Sequence, residues 1–289
     1  MSGAGDRSGG RGVRSGEELN VPAVDAWLKA RVAGLSGAPE VTQYSGGASN
    51  WTYRLRYDTH DLVLRRPPAG TKAKSAHDMG REYGIQKALK PFFPLAPEMI
   101  AFCDDTAVIG CEFYVMARIE GLILRRNPPR DLVLTPEVTR RLCLNAIDTL
   151  VALHGVKIEG TPLADIGKGV GYARRQIVGW CDRYRKARTW NVARFEGVMS
   201  WLEAHVPDDV AATVIHNDFR FDNMVLDPAD PTRIVGVLDW EMATIGDPLM
   251  DLGNALAYWV QKDDDFFIRA LRRQPTHLPG MLTRREVVE

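Results

Sequence analysis

The sequence predicts an α+β fold, a β-rich first part carrying one helix that leads into a mainly helical second part. Three observations carry this expectation. Residues 41–44, 51–57 and 61–66 are short runs rich in β-branched and aromatic side chains, separated by turn residues. Segments at about 137–154, 171–188, 192–205 and 249–260 have the length and pattern of helices. Two short apolar runs, Met224-Val225-Leu226 and Ile234-Val235-Gly236-Val237-Leu238, flank the turn-rich stretch Asp227-Pro228-Ala229-Asp230-Pro231-Thr232-Arg233 and read as a hairpin.

The elements follow in order. A helix over 24–35 is separated by a Gly- and Pro-containing break from the three strands. The first two strands are joined by Ser45-Gly46-Gly47-Ala48-Ser49-Asn50, and the third ends in Arg65-Arg66. A helix over 76–89 is stopped by Pro91, and a β pair is expected at 107–109 and 112–118, giving β-β-β-α-β-β. Glu120-Gly121 then begins the crossing to the helices. The expected divisions are a disordered tail at 1–20, a first lobe at 21–119 and a second at 120–289.

Composition bounds the class. A chain of 289 residues with 45% hydrophobic and 26% charged residues matches a soluble globular enzyme. Lysine plus arginine equals aspartate plus glutamate at 37 each, so no global field draws the chain to nucleic acid or an acidic membrane. No apolar run reaches the roughly 18 residues of a membrane span. The Gly-, Ser- and Arg-rich start lacks the apolar core of a secretory signal. Cys103, Cys111, Cys143 and Cys181 form no C-x-x-C pair, which argues against zinc or a disulfide framework and for reduced thiols in a cytoplasmic protein.

The chemistry concentrates in His216-Asn217-Asp218-Phe219-Arg220-Phe221-Asp222-Asn223 and, past the hairpin, Leu238-Asp239-Trp240-Glu241. In an antiparallel pair the start of the first strand lies beside the end of the second, so Asn223 and Asp239 should meet. A carboxylate and an amide oxygen suit Mg²⁺, which takes hard oxygen ligands and completes its octahedron with water and phosphate. Asp218 lies on the incoming loop, where it can accept a proton from an attacking hydroxyl. His216 reads as a packed organiser of that loop. The Gly46-Gly47 turn can bring backbone N–H groups to phosphates, although the same glycines suit an ordinary hairpin.

The pattern H-x-D-x-x-x-x-N, an apolar hairpin, then Leu238-Asp239-Trp240-Glu241 and Gly246-Asp247-Pro248-Leu249-Met250-Asp251-Leu252 resembles the aminoglycoside phosphotransferase and choline kinase-like superfamily. In particular it is similar to the branch found fused to, or encoded alongside, acyl-CoA dehydrogenases. The resemblance runs from about residue 40 and implies a two-lobed, protein-kinase-like fold. It further implies ATP- and Mg²⁺-dependent transfer of the γ-phosphoryl group to a hydroxyl of a small molecule.

On that resemblance Asp218 is the catalytic base, Arg220 neutralises the transferring group, and His216 supports the loop. Asn223 and Asp239 hold Mg²⁺. Gly46, Gly47, Ser49 and Asn50 cover the nucleotide phosphates, which Arg65 binds with Glu82 as its partner. Met116 backs the adenine, held by backbone groups of Ala117 and Ile119. Asp222 is an acceptor within the loop, Glu241 and Asp247 lie near the metal, and Asp251 braces the loop. Arginine replaces the usual kinase lysine at position 65, which keeps a nucleotide-binding pseudokinase open as an alternative. A protein kinase proper is disfavoured, because no A-P-E segment follows Asp239.

Two further expectations concern the acceptor side. Arg174, Arg175, Arg183, Arg185, Lys186, Arg188 and Arg194 face a single acid, Asp182, which suits either an anionic acceptor such as a hydroxyacyl-CoA or a plain solvated face. Thr283 and Glu286 fit a capping box, but a helix so near the end is short, so a truncated lobe with a frayed end from about Pro275 is expected.

Overall fold

The computed structural model describes residues 10–44, 50–68, 78–129 and 131–289. Its first part is one antiparallel sheet. Strands β1 (Gly10–Arg11), β2 (Glu40–Tyr44), β3 (Trp51–Arg56), β4 (Asp61–Arg66), β5 (Met99–Cys103) and β6 (Phe113–Ala117) lie in the order β1-β2-β3-β4-β6-β5. Helix α1 (Val21–Lys29) covers one face, with Trp27 and Leu28 packed among Tyr53, Leu55, Leu62, Leu64 and Phe113. Helix α2 (Met79–Leu89) covers the other, where Met79 meets Val63, Tyr114 and Met116. Each fully buried large apolar side chain of these layers stabilises by about 1.5–3 kcal/mol.

Strand parity decides where the two arginines go. Successive side chains of a strand point to opposite faces, so Leu62 and Leu64 enter the α1 layer while Val63 and Arg65 face α2. Arg65 is therefore buried beside α2. Arg66 turns the other way, lies over Trp51 at 4.6 Å and donates to the carbonyls of Glu17 and Glu18. It clasps the N-terminal segment rather than ending in solvent.

Several expectations are corrected here. Residues 10–20 are not a free tail: β1 pairs with β2, Leu19 is buried, and the Arg14 N–H donates to Gln43 Oε1 at 2.9 Å. Helix α1 starts earlier and ends sooner than 24–35, because Asn20 caps it by accepting from the Ala23 N–H and Pro22 sits in its first turn. Residues 107–109 form a turn, closed by Ala107 N–H to Asp105 Oδ1 at 2.9 Å and Gly110 N–H to the Thr106 carbonyl at 2.8 Å. The strand that takes their place beside β6, on the side away from β4, is β5, whose alternating burial lay hidden behind Pro94 and Pro97.

The second part contains α3 (Pro136–His154), α4 (Tyr172–Ala187), α5 (Glu196–Ala204), α6 (Pro248–Ala257), α7 (Phe266–Leu271) and α8 (Arg284–Val288). Strands β7 (Thr213–Ile215) and β10 (Thr244–Gly246) pair, as do β8 (Met224–Leu226) and β9 (Ile234–Val237). A large core joins Leu142, Leu150, Phe221, Val237 and Trp240 to Ile85 and Leu89, so α2 belongs to both layers of packing. The crossing segment is tied to the hairpin by an antiparallel bridge, Leu122 N–H to the Leu226 carbonyl at 2.8 Å and Leu226 N–H to the Leu122 carbonyl at 2.7 Å. Gly121 permits it, since a Cβ there would strike the Leu226 carbonyl.

The expected fraying from Pro275 is overturned. Gln274, Thr276, Met281, Leu282 and Val287 are buried, Trp259 Nε1 donates to the Leu282 carbonyl at 2.7 Å, and Arg284 pairs with Asp264 at 2.6 Å. The Thr283–Glu286 capping box is formed, and Glu286 also meets Arg140 at 3.0 Å. Tertiary packing supplies what a five-residue helix lacks alone. Gly280 allows this docking: its φ is +85°, and a Cβ would strike the Pro136 carbonyl of α3. Gly280→Ala should therefore lower the unfolding free energy by about 1–3 kcal/mol, read by urea melts, with faster hydrogen exchange at Leu282 and Val287. Wild-type stability in the variant would contradict the packing.

Candidate active site

The hairpin register opposes Met224 to Val237, and the next rung is Leu238 N–H to the Asn223 carbonyl at 2.8 Å. Asn223 thus stands beside the turn that begins at Asp239. Asn223 Nδ2 donates to the Asp218 carbonyl and to Asp218 Oδ2, each at 2.9 Å. Its amide oxygen is left as the end available to a cation. Asp239 adopts φ 68°, a left-handed conformation uncommon outside glycine and typical of residues held for a purpose.

His216 is fully buried and makes three backbone connections. Its Nδ1 accepts from the Asp218 N–H at 3.2 Å, so its Nε2–H donates to the Leu238 carbonyl at 3.0 Å. Its own N–H and that of Asn217 both donate to Asp251, each at 2.8 Å. Asp251 is buried on α6 and also meets His154 at 3.0 Å. His216 therefore positions Asp218 and Asp239 and has no route to solvent as a proton carrier. Asp251 braces the loop as expected, whereas Asp247 caps α6 through the Leu249 N–H at 2.7 Å and binds the Val210 N–H, so it is not a metal contact.

Arg220 lies between Asp218 and Asp222, 3.2 Å from each, with its guanidinium 4.5 Å from the Tyr258 ring. Burial pushes the Asp222 carboxyl up, Arg220 opposes the rise and Asp218 adds to it. The stacking partner Tyr258 and the loop partners Tyr172 and His154 carried no local sequence signal.

From the sheet side, Arg65 Nη1 donates to Glu82 Oε1 at 2.7 Å and to Asp239 Oδ1 at 3.0 Å, while Nη2 lies 2.9 Å from Asp239 Oδ1 and 3.4 Å from Glu241 Oε2. Asn50 Nδ2 donates to Glu241 at 3.0 Å. Arg81, beside Glu82 on α2, donates to the Glu241 carbonyl at 3.1 Å and to the Ala243 carbonyl. Burial works against the Arg65 charge, but Tyr114, Glu82, Asp239 and Glu241 outweigh it. Burial pushes the Glu82 carboxyl up to about 7 against the pull of Arg65.

Of the two backbone groups of Ala117 expected at the adenine, one is already engaged. Its N–H donates to the Glu98 carbonyl at 2.9 Å and is not available to a ring. Met116 is buried in β6, and Ile119 packs over Gly236 in the position a Cβ would fill. Gly46, Gly47 and Ser49 lie outside the described residues.

A divalent ion fits the donors present. Among the described residues no group of three or more His, Cys, Asp or Glu side chains is placed to hold a metal. An ion here would rest on Asp239 and the Asn223 amide oxygen and take its remaining oxygens from water and phosphate, the habit of Mg²⁺ rather than of zinc. Bound there, it would neutralise phosphate charge. Arg65 would have to yield part of its hold on Asp239.

Comparison with known proteins now decides the family. The phosphotransferase enzyme family model matches residues 40–287. The chain belongs to that family. A crystal structure from Ralstonia eutropha, named for a proposed aminoglycoside phosphotransferase, superposes with a TM-score of 0.75 at 28% identity, covering 93% of this chain and 78% of that one. Macrolide 2′-phosphotransferase type I shares the fold, with a TM-score of 0.58 at 20% identity over 96% and 90% of the two chains. The human acyl-CoA dehydrogenase family member 11 is 37% identical over 80% of this phosphotransferase family member, and the chicken protein of that name is 40% identical over 78%. The chain spans only about 30% of the length of these relatives. Its fold is the two-lobed, kinase-like one, and the family's chemistry is small-molecule phosphoryl transfer.

The raised Glu82 carboxyl has a pH signature. Because its folded value of about 7 exceeds the ordinary 4.5, the stability it contributes is fully present below about pH 4.5 and is lost as pH rises through 7. Glu82→Gln keeps the shape and removes the titration. It should flatten the decline in unfolding free energy across that window by roughly 1–3 kcal/mol, measured by urea melts at stepped pH. An unchanged slope would count against the assignment.

Proposed function

We propose that this chain transfers the γ-phosphoryl group of ATP, with Mg²⁺, to a hydroxyl of a small molecule. One observation carries the reading. At the mouth of one hairpin, Asp218 and Asn223 are hydrogen-bonded to each other next to Asp239, the residue that Arg65 reaches from the opposite lobe. In the proposed roles Asp218 receives the acceptor's proton, Asn223 and Asp239 hold Mg²⁺, and Arg65, fixed by Glu82, binds nucleotide phosphate. Arginine serves there because its planar fork binds phosphate in bidentate fashion. Asn50 faces the phosphates, with Met116 and Ile119 beside the base. Arg220 stabilises charge on the transferred group. Catalysis then rests on positioning and electrostatics.

The acceptor is proposed to be anionic, of the hydroxyacyl thioester type, which the relatives named acyl-CoA dehydrogenase support. A cytoplasmic location accords with this chemistry, and no helix among the described residues is long and apolar enough to cross a membrane. The pairing of Arg65 with Asp239 favours a second reading, a nucleotide-binding module in which the metal position is held shut.

Asp218→Asn should lower turnover by about 10²–10⁴-fold while ATP binding persists, and Asp239→Ala should weaken Mg·ATP binding as well. The assay is phosphate transfer over a panel of hydroxylated metabolites, beside calorimetric ATP binding. Near wild-type turnover in either variant would overturn these roles. Tight ATP binding with no turnover of any acceptor would favour the second reading.

A further inference from the structure

Past Asp239 the chain makes a single 3₁₀ turn over Trp240–Met242 and then enters β10. The Trp240 carbonyl closes that turn by accepting from the Ala243 N–H at 3.1 Å. The next three carbonyls, of Glu241, Met242 and Ala243, each accept from a side chain of another element. Arg81 on α2 donates through Nη1 to Glu241 at 3.1 Å and through Nη2 to Ala243. Between them, Asn217 of the catalytic loop donates through Nδ2 to Met242 at 3.0 Å. Backbone carbonyls require partners, and a short segment that finds them on two neighbours takes its position from both.

Both donors are themselves held. Asp78 caps α2 by accepting from the Arg81 N–H at 2.8 Å, which fixes Arg81 in the first turn, immediately before Glu82. Asn217 has φ 62°, a left-handed conformation that asparagine adopts more readily than most residues. Its N–H donates to Asp251 at 2.8 Å, its carbonyl accepts from Asn254, and its Nδ2 also reaches the Tyr172 hydroxyl at 2.8 Å.

These bonds close a ring. Glu82 and Arg65 hold the side chain of Asp239 from α2, while Arg81, next to Glu82, holds the backbone just beyond Asp239. Asn217 ties that same backbone to the catalytic loop one residue before Asp218, whose carboxylate meets Asn223. Resting on the phosphotransferase reading, we infer that Arg81 and Asn217 are positioning residues: together they clamp residues 241–243 and so set where Asp239 stands relative to Asp218. Arg81 is exposed, so its loss removes alignment and leaves the core intact. Its planar fork reaches two carbonyls at once, which the single ammonium of a lysine cannot match.

The test uses the full chain and two readouts: calorimetric binding of ATP with Mg²⁺ or with EDTA, and kcat for phosphate transfer to an acceptor or to water. Arg81→Ala should keep the melting temperature and the metal-free affinity. It should weaken Mg·ATP binding by about tenfold and lower kcat by up to about a hundredfold. Arg81→Lys, which keeps one donor, should recover part of both losses. Asn217→Gly preserves the left-handed backbone and removes the donor, so it should repeat the alanine pattern. Since either change alone frees the segment, the double variant should fall no further than the worse single one. Lys87→Ala, which removes an exposed cation further along α2, should leave both readouts at wild type. Unchanged Mg·ATP affinity in Arg81→Ala, losses that multiply in the double variant, or a lysine variant no better than the alanine one would each overturn the inference. Equal loss of metal-free and Mg·ATP binding, the mark of a general loosening, would do the same. A wild-type chain that binds no Mg·ATP would sink the phosphotransferase reading, whereas binding that the wild type and all the variants share would sink the clamp alone.

Discussion

The buried guanidinium of Arg65 is the constraint around which the rest of the site is arranged. It reaches Glu82 on α2 and Asp239 and Glu241 beyond the hairpin, so one side chain joins the sheet, the helix over the sheet and the catalytic turn. A charge so enclosed is tolerable only when it is paired and hydrogen-bonded. That requirement forces the two lobes to bring carboxylates to it from both sides. Much of what surrounds it, from the parity of β4 to the left-handed turn at Asp239, follows from meeting that demand.

The pairing is specific as well as strong. A lysine in this position would offer a compact point charge with rotatable donors, whereas a guanidinium presents its donors in a fixed plane. Arg65 therefore bridges Glu82 and Asp239 with one group. The arrangement also places it in competition with any cation for Asp239.

Much of this was legible in the chain. The three early strands and the Asn223–Asp239 hairpin followed from turn chemistry and apolar runs. The meeting of Arg65 with Glu82 was anticipated from the family resemblance, and the parity of β4 beneath α2 brings it about. Other features depended on distant packing. Arg81 reads as an ordinary exposed helix residue until the turn at Glu241 and Ala243 is placed above it. Tyr258 gains its part only by lying against Arg220 across the loop. The docked end was hidden because its helix is too short to be favoured by local propensity, and its stability comes from α3 and Trp259. Asp247 misled because its motif position beside a metal-like sequence is equally that of a helix cap.

The bridge between Leu122 and Leu226 bears on how the lobes can move. A chain crossing made of free linker would let them swing in any direction. Here the crossing is hydrogen-bonded on both sides of the rung to the same hairpin that carries Asn223. The residues just before it, around Ile119, pack on Gly236 of the opposite hairpin strand. The pivot is thus part of the catalytic platform itself, and any rocking of the sheet is referenced to that hairpin rather than to the helices behind it. Opening and closing then change the gap above Asp239 while leaving the spacing of Asp218, Asn223 and the hairpin untouched, so access and alignment are controlled by separate degrees of freedom.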